Sequence, residues 1–147
     1  MIDADELTHS AFRGVVGALA MTGVRRFAAE LGLIGPAPPE QLTYAAAPKL
    51  LGKVAEERRP ALEDLVHWTV GAMGGVGFAL LPETLRRAPW SGPAHGMAIL
   101  LSFEAVVAPA LGLPHHRVNG VPARLVLVAD HLLYGLVLSE LRERPRR

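Results

Sequence analysis

Four apolar stretches of about twenty residues constrain this chain more than any other feature. Each is close to the roughly 20 helical residues that cross the hydrocarbon core of a bilayer. Gly-Pro and Pro-Pro pairs, which interrupt helices, lie between them. With four spans, both termini are expected on one side of the membrane. The predicted spans are residues 10–31, 62–81, 93–113 and 122–140.

The second and third stretches lack the charged face that a helix on the surface of a soluble bundle needs. Residues 66–81 read VHWTVGAMGGVGFALL, which is apolar or small all round. A soluble domain of this length buries only about 70% of its surface and has room for one such helix rather than several. Half of the residues are hydrophobic, 20% are charged, and the mean hydropathy is +0.27. The sequence therefore predicts an all-α, integral membrane four-helix bundle.

Composition and motifs narrow the function. The chain has no cysteine, which excludes disulfides and thiolate chemistry, and its net charge of +1 gives no basis for binding nucleic acid. The start MIDADELTHS is acidic and lacks the basic region of a signal peptide. No nucleophile elbow, phosphate loop, dinucleotide fingerprint or haem motif is present. We therefore expect neither enzymatic activity nor a cofactor.

Five ionisable residues interrupt the predicted spans, and such residues are the default functional candidates in a membrane. At 1.5 Å per residue they all lie roughly 8–14 Å inside the face opposite the termini. The structural interpretation is a network of ion pairs and hydrogen bonds that fixes how the helices pack. The alternatives are a path for protons, ions or small solutes, and a metal site made by the four members other than Arg25, for which no tight ligand motif exists. The five are Arg25, His67, Glu104, Asp130 and His131.

The depths of these residues also predict a specific ion pair. The first and third spans run in the same direction, and Arg25 and Glu104 fall at matching depths. We expect them to pair directly, with Asp130 as the competing partner for Arg25.

Small residues recur at the spacing that lets membrane helices approach closely. Gly71, Gly74 and Gly75 are expected to share one helix face, and Gly14, Ala18 and Thr22 another. Gly135 is assigned the same role in the last span. Gly92 is expected to lie in a loop and to tolerate a larger side chain.

The chain also shows signs of an internal duplication. The first and third stretches align at an offset of 80 residues, and the second and fourth at an offset of 64, where His67-x-x-x-Gly71 matches His131-x-x-x-Gly135. The expected unit is a two-helix hairpin used twice in the same orientation. The connection over residues 36–60 is predicted to include a short amphipathic helix, carrying Leu50, Leu51 and Val54, that lies at the membrane interface or in solvent.

These features together resemble those of the YagU-like small bacterial inner-membrane proteins, which are themselves uncharacterised. The matching features are GALAMTGVRR followed by Gly-Leu and a Pro-Pro pair, His67 before Gly71, and ADHLLYGLVL in the last span. The resemblance covers most of the chain. It implies a multi-pass location in the bacterial inner or plasma membrane and, for some members, a role in acid tolerance, but no active site.

The expected function is that of a structural or accessory membrane subunit. Its partners would be the lipid bilayer and either further copies of itself or another membrane protein. The alternative is a minimal channel or transporter that acts as an oligomer, because four helices are few for a path within one chain.

Overall fold

The computed structural model describes residues 3–34, 43, 48–112 and 120–140, and in these segments the chain is helical with no strand. The helices are α1 (Ala4–Glu30), α2 (Pro48–Leu51), α3 (Arg59–Ala79), α4 (Glu83–Arg86), α5 (Ser91–Ser102), α6 (Ala108–Ala110) and α7 (Val121–Glu140). A 3₁₀ turn covers Glu56–Arg58, and a π-helical turn over Phe103–Val107 joins α5 to α6. The all-α prediction is confirmed, and a long helix covers each of the four apolar stretches.

Local sequence explains where the long helices start and stop. The first turn of α1 carries Asp5 and Glu6, whose charges suit a helix N-terminus. Gly32, at φ +70°, ends α1: its N–H bonds the carbonyl of Ala29, and the next N–H bonds that of Ala28. This is the Schellman arrangement, which favours glycine at the left-handed position. Pro60 lies in the first turn of α3, where its missing N–H has no cost.

The four long helices form a bundle with α1 and α7 at its centre. α1 packs along α3 on one side and along α7 on the other, and α7 packs along α5. α3 and α5 make few contacts, among them those of His95, whose ring nitrogen Nε2 lies 3.0 Å from the Gly74 carbonyl oxygen and whose ring packs edge-on to Phe78. Beyond these contacts α3 and α5 are separated by a cavity.

Glycines allow the close approach within each hairpin. A Cβ atom at Gly71 would lie 2.6 Å from the Ala18 side chain and 2.7 Å from the Gly14 carbonyl oxygen, across the α1–α3 contact. In the second hairpin, Gly92 and Gly135 face each other so closely that neither has room for a Cβ atom. The expected packing role of Gly14, Gly71 and Gly135 agrees with these contacts.

Two expectations about the glycines are corrected. Gly92 is not in a loop: it lies in the first turn of α5, is buried, and contacts the backbone of α7. Gly74 does not share the face of Gly71 and Gly75, because it points towards the Tyr134 hydroxyl and Ile99 while the other two face α1. The angular step between adjacent helix positions, about 100°, is enough to direct neighbours to different partners.

The contacts also bear on the duplication. The Gly14–Gly71 contact of the first hairpin corresponds to Gly92–Gly135 in the second. These pairs are related by offsets of 78 and 64 positions, so the second offset agrees with the sequence alignment and the first differs from it by two residues. The two hairpins use the same kind of contact, but α7 lies against α1 whereas α5 barely touches α3.

The connection between the first two long helices differs from the amphipathic helix that was expected. Over residues 48–58 it forms a single helical turn, α2, followed by the 3₁₀ turn, in place of one continuous amphipathic helix. Leu51 is buried against the protein and Val54 is half-buried, while the side chain of Leu50 lies outside the described residues.

Two helical segments among the described residues are long and apolar enough to cross a membrane, judged by length and composition alone. They are Ser91–Ala110, with a mean hydropathy of 1.3, and Val121–Ser139, with 1.6. α1 and α3 are not in this group, and α1 carries Arg25 and Arg26 close to its C-terminal end.

Candidate functional site: a polar cluster beside an apolar cavity

A buried ion pair joins the two central helices. Arg25 Nε of α1 donates to Asp130 Oδ2 of α7 over 2.7 Å, and the side chains are 9% and 0% exposed. The other carboxylate oxygen, Oδ1, is buried with no hydrogen-bond partner among the described residues. The pair holds α1 against α7; Asp130 is closed off by packed side chains, whereas Arg25 also borders a cavity.

His67 of α3 extends this pair into a network over three helices. Its Nε2 atom lies 2.8 Å from Arg25 Nη2. A guanidinium can only donate, so Nε2 accepts and the ring proton is on Nδ1. Nδ1 then donates to Thr22 Oγ1 over 3.3 Å, and that hydroxyl donates to the Ala18 carbonyl oxygen over 3.1 Å. Both nitrogens of His67 are therefore engaged.

The Thr22 hydroxyl also accepts a hydrogen bond from the indole Nε1 of Trp68 over 3.4 Å. The sequence pattern predicts for Thr22 only a place on a small-residue packing face. Its hydroxyl instead supports the histidine and tryptophan of α3.

His131 of α7 has a different hydrogen-bonding pattern. Its Nδ1 lies 2.8 Å from the Leu127 carbonyl oxygen, one turn earlier in the helix. A carbonyl oxygen can only accept, so Nδ1 carries the proton and Nε2 is left as an acceptor. His131 lines the cavity between α3 and α5.

This cavity has a volume of about 100 Å³ and is partly open to the outside of the bundle. All four long helices contribute to it. Its walls are largely apolar, and its polar side chains are those of the predicted cluster other than Asp130, together with Tyr134. The apolar lining includes Met21, Val70, Ile99, Leu100, Phe103 and Leu127.

Glu104 reaches the cavity from an unusual piece of backbone. It lies in the π-helical turn Phe103–Val107, in which the Ala108 N–H bonds the carbonyl of Phe103. Pro109 explains the turn, since a proline lacks the N–H that would continue the helix and its ring crowds the preceding turn. Single π-helical turns are rare and occur often at functional sites.

The predicted Arg25–Glu104 pair is wrong, and the competing partner, Asp130, takes Arg25. Among the described residues Glu104 makes no ion pair or hydrogen bond, although it lines the same cavity as Arg25. The metal alternative also finds no support, because no three histidine or acidic side chains in the described segments come together as ligands.

Sequence reasoning missed the role of Tyr134. Its hydroxyl, buried at the centre of the bundle, donates to the Gly71 carbonyl oxygen over 2.5 Å and so links α7 to α3. Its spacing gave a signal, since Tyr134 stands four residues after Asp130 and so on the same side of the helix.

Comparison of the chain with known protein families, with characterised proteins and with solved structures finds no match.

Proposed function

We propose that this chain is an integral membrane protein with four spans and that it acts as a structural or accessory subunit without catalytic activity. The observation that carries the proposal is an inverted distribution of side chains. Arg25 and Asp130 are buried inside the bundle, while large apolar side chains cover its outside. Those more than 60% exposed on the long helices and the π-helical turn include Phe12, Phe27, Met73, Leu101, Val106 and Leu125.

The apolar helices support the same proposal. In the windows that define the two candidate spans, Ser91–Ala110 and Val121–Ser139, only 17% and 28% of the residues are buried. The core helix of a soluble protein would be mostly buried, and water is a poor solvent for apolar surface of this extent. Lipid, with or without neighbouring protein, is the environment that suits it.

A structural role fits the polar network because most of its groups hydrogen-bond one another, although the Oδ1 atom of Asp130 has no partner among the described residues. Arg25 donates hydrogen bonds to Asp130 and His67, and His67 donates one to Thr22. Such a network supports packing of α1, α3 and α7 without needing a ligand. The partners would be lipid and either a second copy or another membrane protein, in a bacterial inner or plasma membrane. The YagU-like resemblance stays a prediction within this proposal.

The transport alternative now depends on fewer groups. Asp130 is sealed from the cavity, so a path for protons or solutes would have to use Glu104 and His131, which line it. Transport remains the second candidate function because Glu104 and His131 are exposed to the cavity.

The membrane assignment predicts how the protein fractionates. We expect the full chain to sediment with membranes, to resist extraction by alkaline carbonate, and to need detergent for release, because its exposed apolar side chains would otherwise face water. A monodisperse protein recovered from the soluble fraction without detergent would overturn the assignment.

The bundle also predicts a topology. Ser10 contacts Gly75, and Glu6 forms an ion pair with Arg86, so the start of α1 and the connection through α4 lie at the same end. Cysteines introduced at the exposed Ala4 and Thr84 should react with a membrane-impermeant reagent from one side of the membrane. A cysteine at the exposed Lys53, at the other end of α1, should react only from the opposite side. Labelling of all three from one side would contradict the four-span arrangement.

A further inference from the structure

Some polar groups that line the cavity between α3 and α5 have hydrogen-bond partners in the protein, and others do not. Arg25 has Asp130 as its salt-bridge partner, and both nitrogens of His67 are engaged. Among the acceptor groups that line the cavity, the carboxylate of Glu104 and the Nε2 atom of His131 have no partner within the described residues. Both are acceptors.

The charges point in the same direction. Arg25 and Asp130 neutralise each other, which leaves Glu104 as the net charge of the cavity. A carboxylate next to apolar walls is costly unless a cation or a hydrogen-bond donor reaches it. The complementary group is therefore a cation that can also donate hydrogen bonds, and an ammonium group has both properties.

We propose that this cavity is a binding site for a lipophilic amine, with its ammonium group bound by Glu104 and His131 and its hydrocarbon part against Ile99, Leu100 and Phe103. The site goes beyond the structural role proposed above and uses residues that the structural network leaves over. The π-helical turn that carries Glu104 also supports a binding site here, because single π-helical turns occur often at functional sites.

The size of the cavity limits the ligand. Its volume of about 100 Å³ is below the roughly 150 Å³ of an engineered apolar cavity that holds benzene. An ammonium group and a few carbons fill it, and because the cavity is partly open the rest of an alkyl chain extends beyond it. A single unbranched chain fits this shape better than a bulky ring system.

The test compares three probes of equal chain length, n-octylamine, n-octanol and n-octanoate, on the purified full chain in a mild nonionic detergent. The readout is the fluorescence of Trp68, which hydrogen-bonds Thr22 beside the cluster. A Trp90→Phe background removes the second tryptophan, which is exposed and distant in sequence. Thermal stability is measured in parallel, because a ligand that binds the folded state raises the melting temperature.

We expect saturable binding of octylamine, about tenfold or more tighter than that of octanol, which corresponds to a single charge-assisted contact of about 1.4 kcal/mol. Glu104→Gln should remove this preference and Glu104→Asp should keep part of it. Glu30→Gln, a matched change at an exposed carboxylate on α1, should leave binding unchanged.

Equal binding of amine and alcohol, tighter binding of octanoate, or an unchanged preference in Glu104→Gln would each overturn the proposal. If Glu104→Gln does not fold, the order of the three probes on the unaltered chain still decides. The result is separable from the membrane assignment: a protein found to be soluble would be titrated in buffer without detergent.

Discussion

Arg25→Met is expected to lower the free energy of unfolding by about 3–5 kcal/mol, since it leaves Asp130 as an uncompensated charge in a site that is 0% exposed. Asp130→Asn should cost a similar amount for the same reason, with the guanidinium now unpaired. The double variant should recover much of the loss, because a neutral pair has no buried charge to stabilise. Equilibrium unfolding in detergent measures all three, and the double-mutant cycle gives the coupling.

Arg26 and Asp64 provide the matched control for this cycle. They form an ion pair between α1 and α3, close to the Arg25–His67 contact that joins the same two helices. Their side chains, however, are 66% and 23% exposed. Exposed pairs contribute about 0–1 kcal/mol, so Arg26→Met should be nearly neutral. Harmless single changes at Arg25 and Asp130 would mean that water reaches the site, and the transport alternative would then gain support.

Gly75→Ala and Gly96→Ala are expected to destabilise the bundle by about 1–3 kcal/mol or more, one in each hairpin. A Cβ atom at Gly75 would collide with the carbonyl oxygen of Ser10, and one at Gly96 with that of His131. Backbone atoms cannot turn aside as a flexible side chain can, so the two helices must separate and lose contacts along their length. Thermal denaturation in detergent would show the loss as a lower melting temperature.

Gly23→Ala is the control for both changes. Gly23 lies within α1, and nothing is within 4 Å of its Cβ position. Alanine there should be neutral or stabilising by up to about 1 kcal/mol, since glycine is a poor helix former. Gly92→Ala should now behave like Gly96→Ala and not like Gly23→Ala. Equal tolerance at all four positions would contradict close helix packing through glycine.

The sequence placed the long helices approximately: the first was expected over residues 10–31 and runs over Ala4–Glu30, and the second was expected over 62–81 and runs over Arg59–Ala79. The third was expected over residues 93–113 and covers 91–110 with its π-helical turn; the fourth was expected over 122–140 and begins at Val121. Helix ends depend on local signals, such as Gly32 after α1 and Gly120 before α7, which a single sequence contains. The two-residue error at the start of the third helix was enough to place Gly92 wrongly in a loop.

The sequence by itself determined that the chain is helical, where its long helices run, and which five ionisable residues interrupt them. Only the tertiary structure decided that Arg25 pairs with Asp130, that Glu104 faces a cavity, and that α1 and α7 form the centre. The physical reason is rotational. Counting residues gives the position of a side chain along a helix axis, but its direction depends on how each helix turns about that axis when it packs. At Glu104 the π-helical turn before Pro109 changes that direction again, so no regular helical spacing leads to its place.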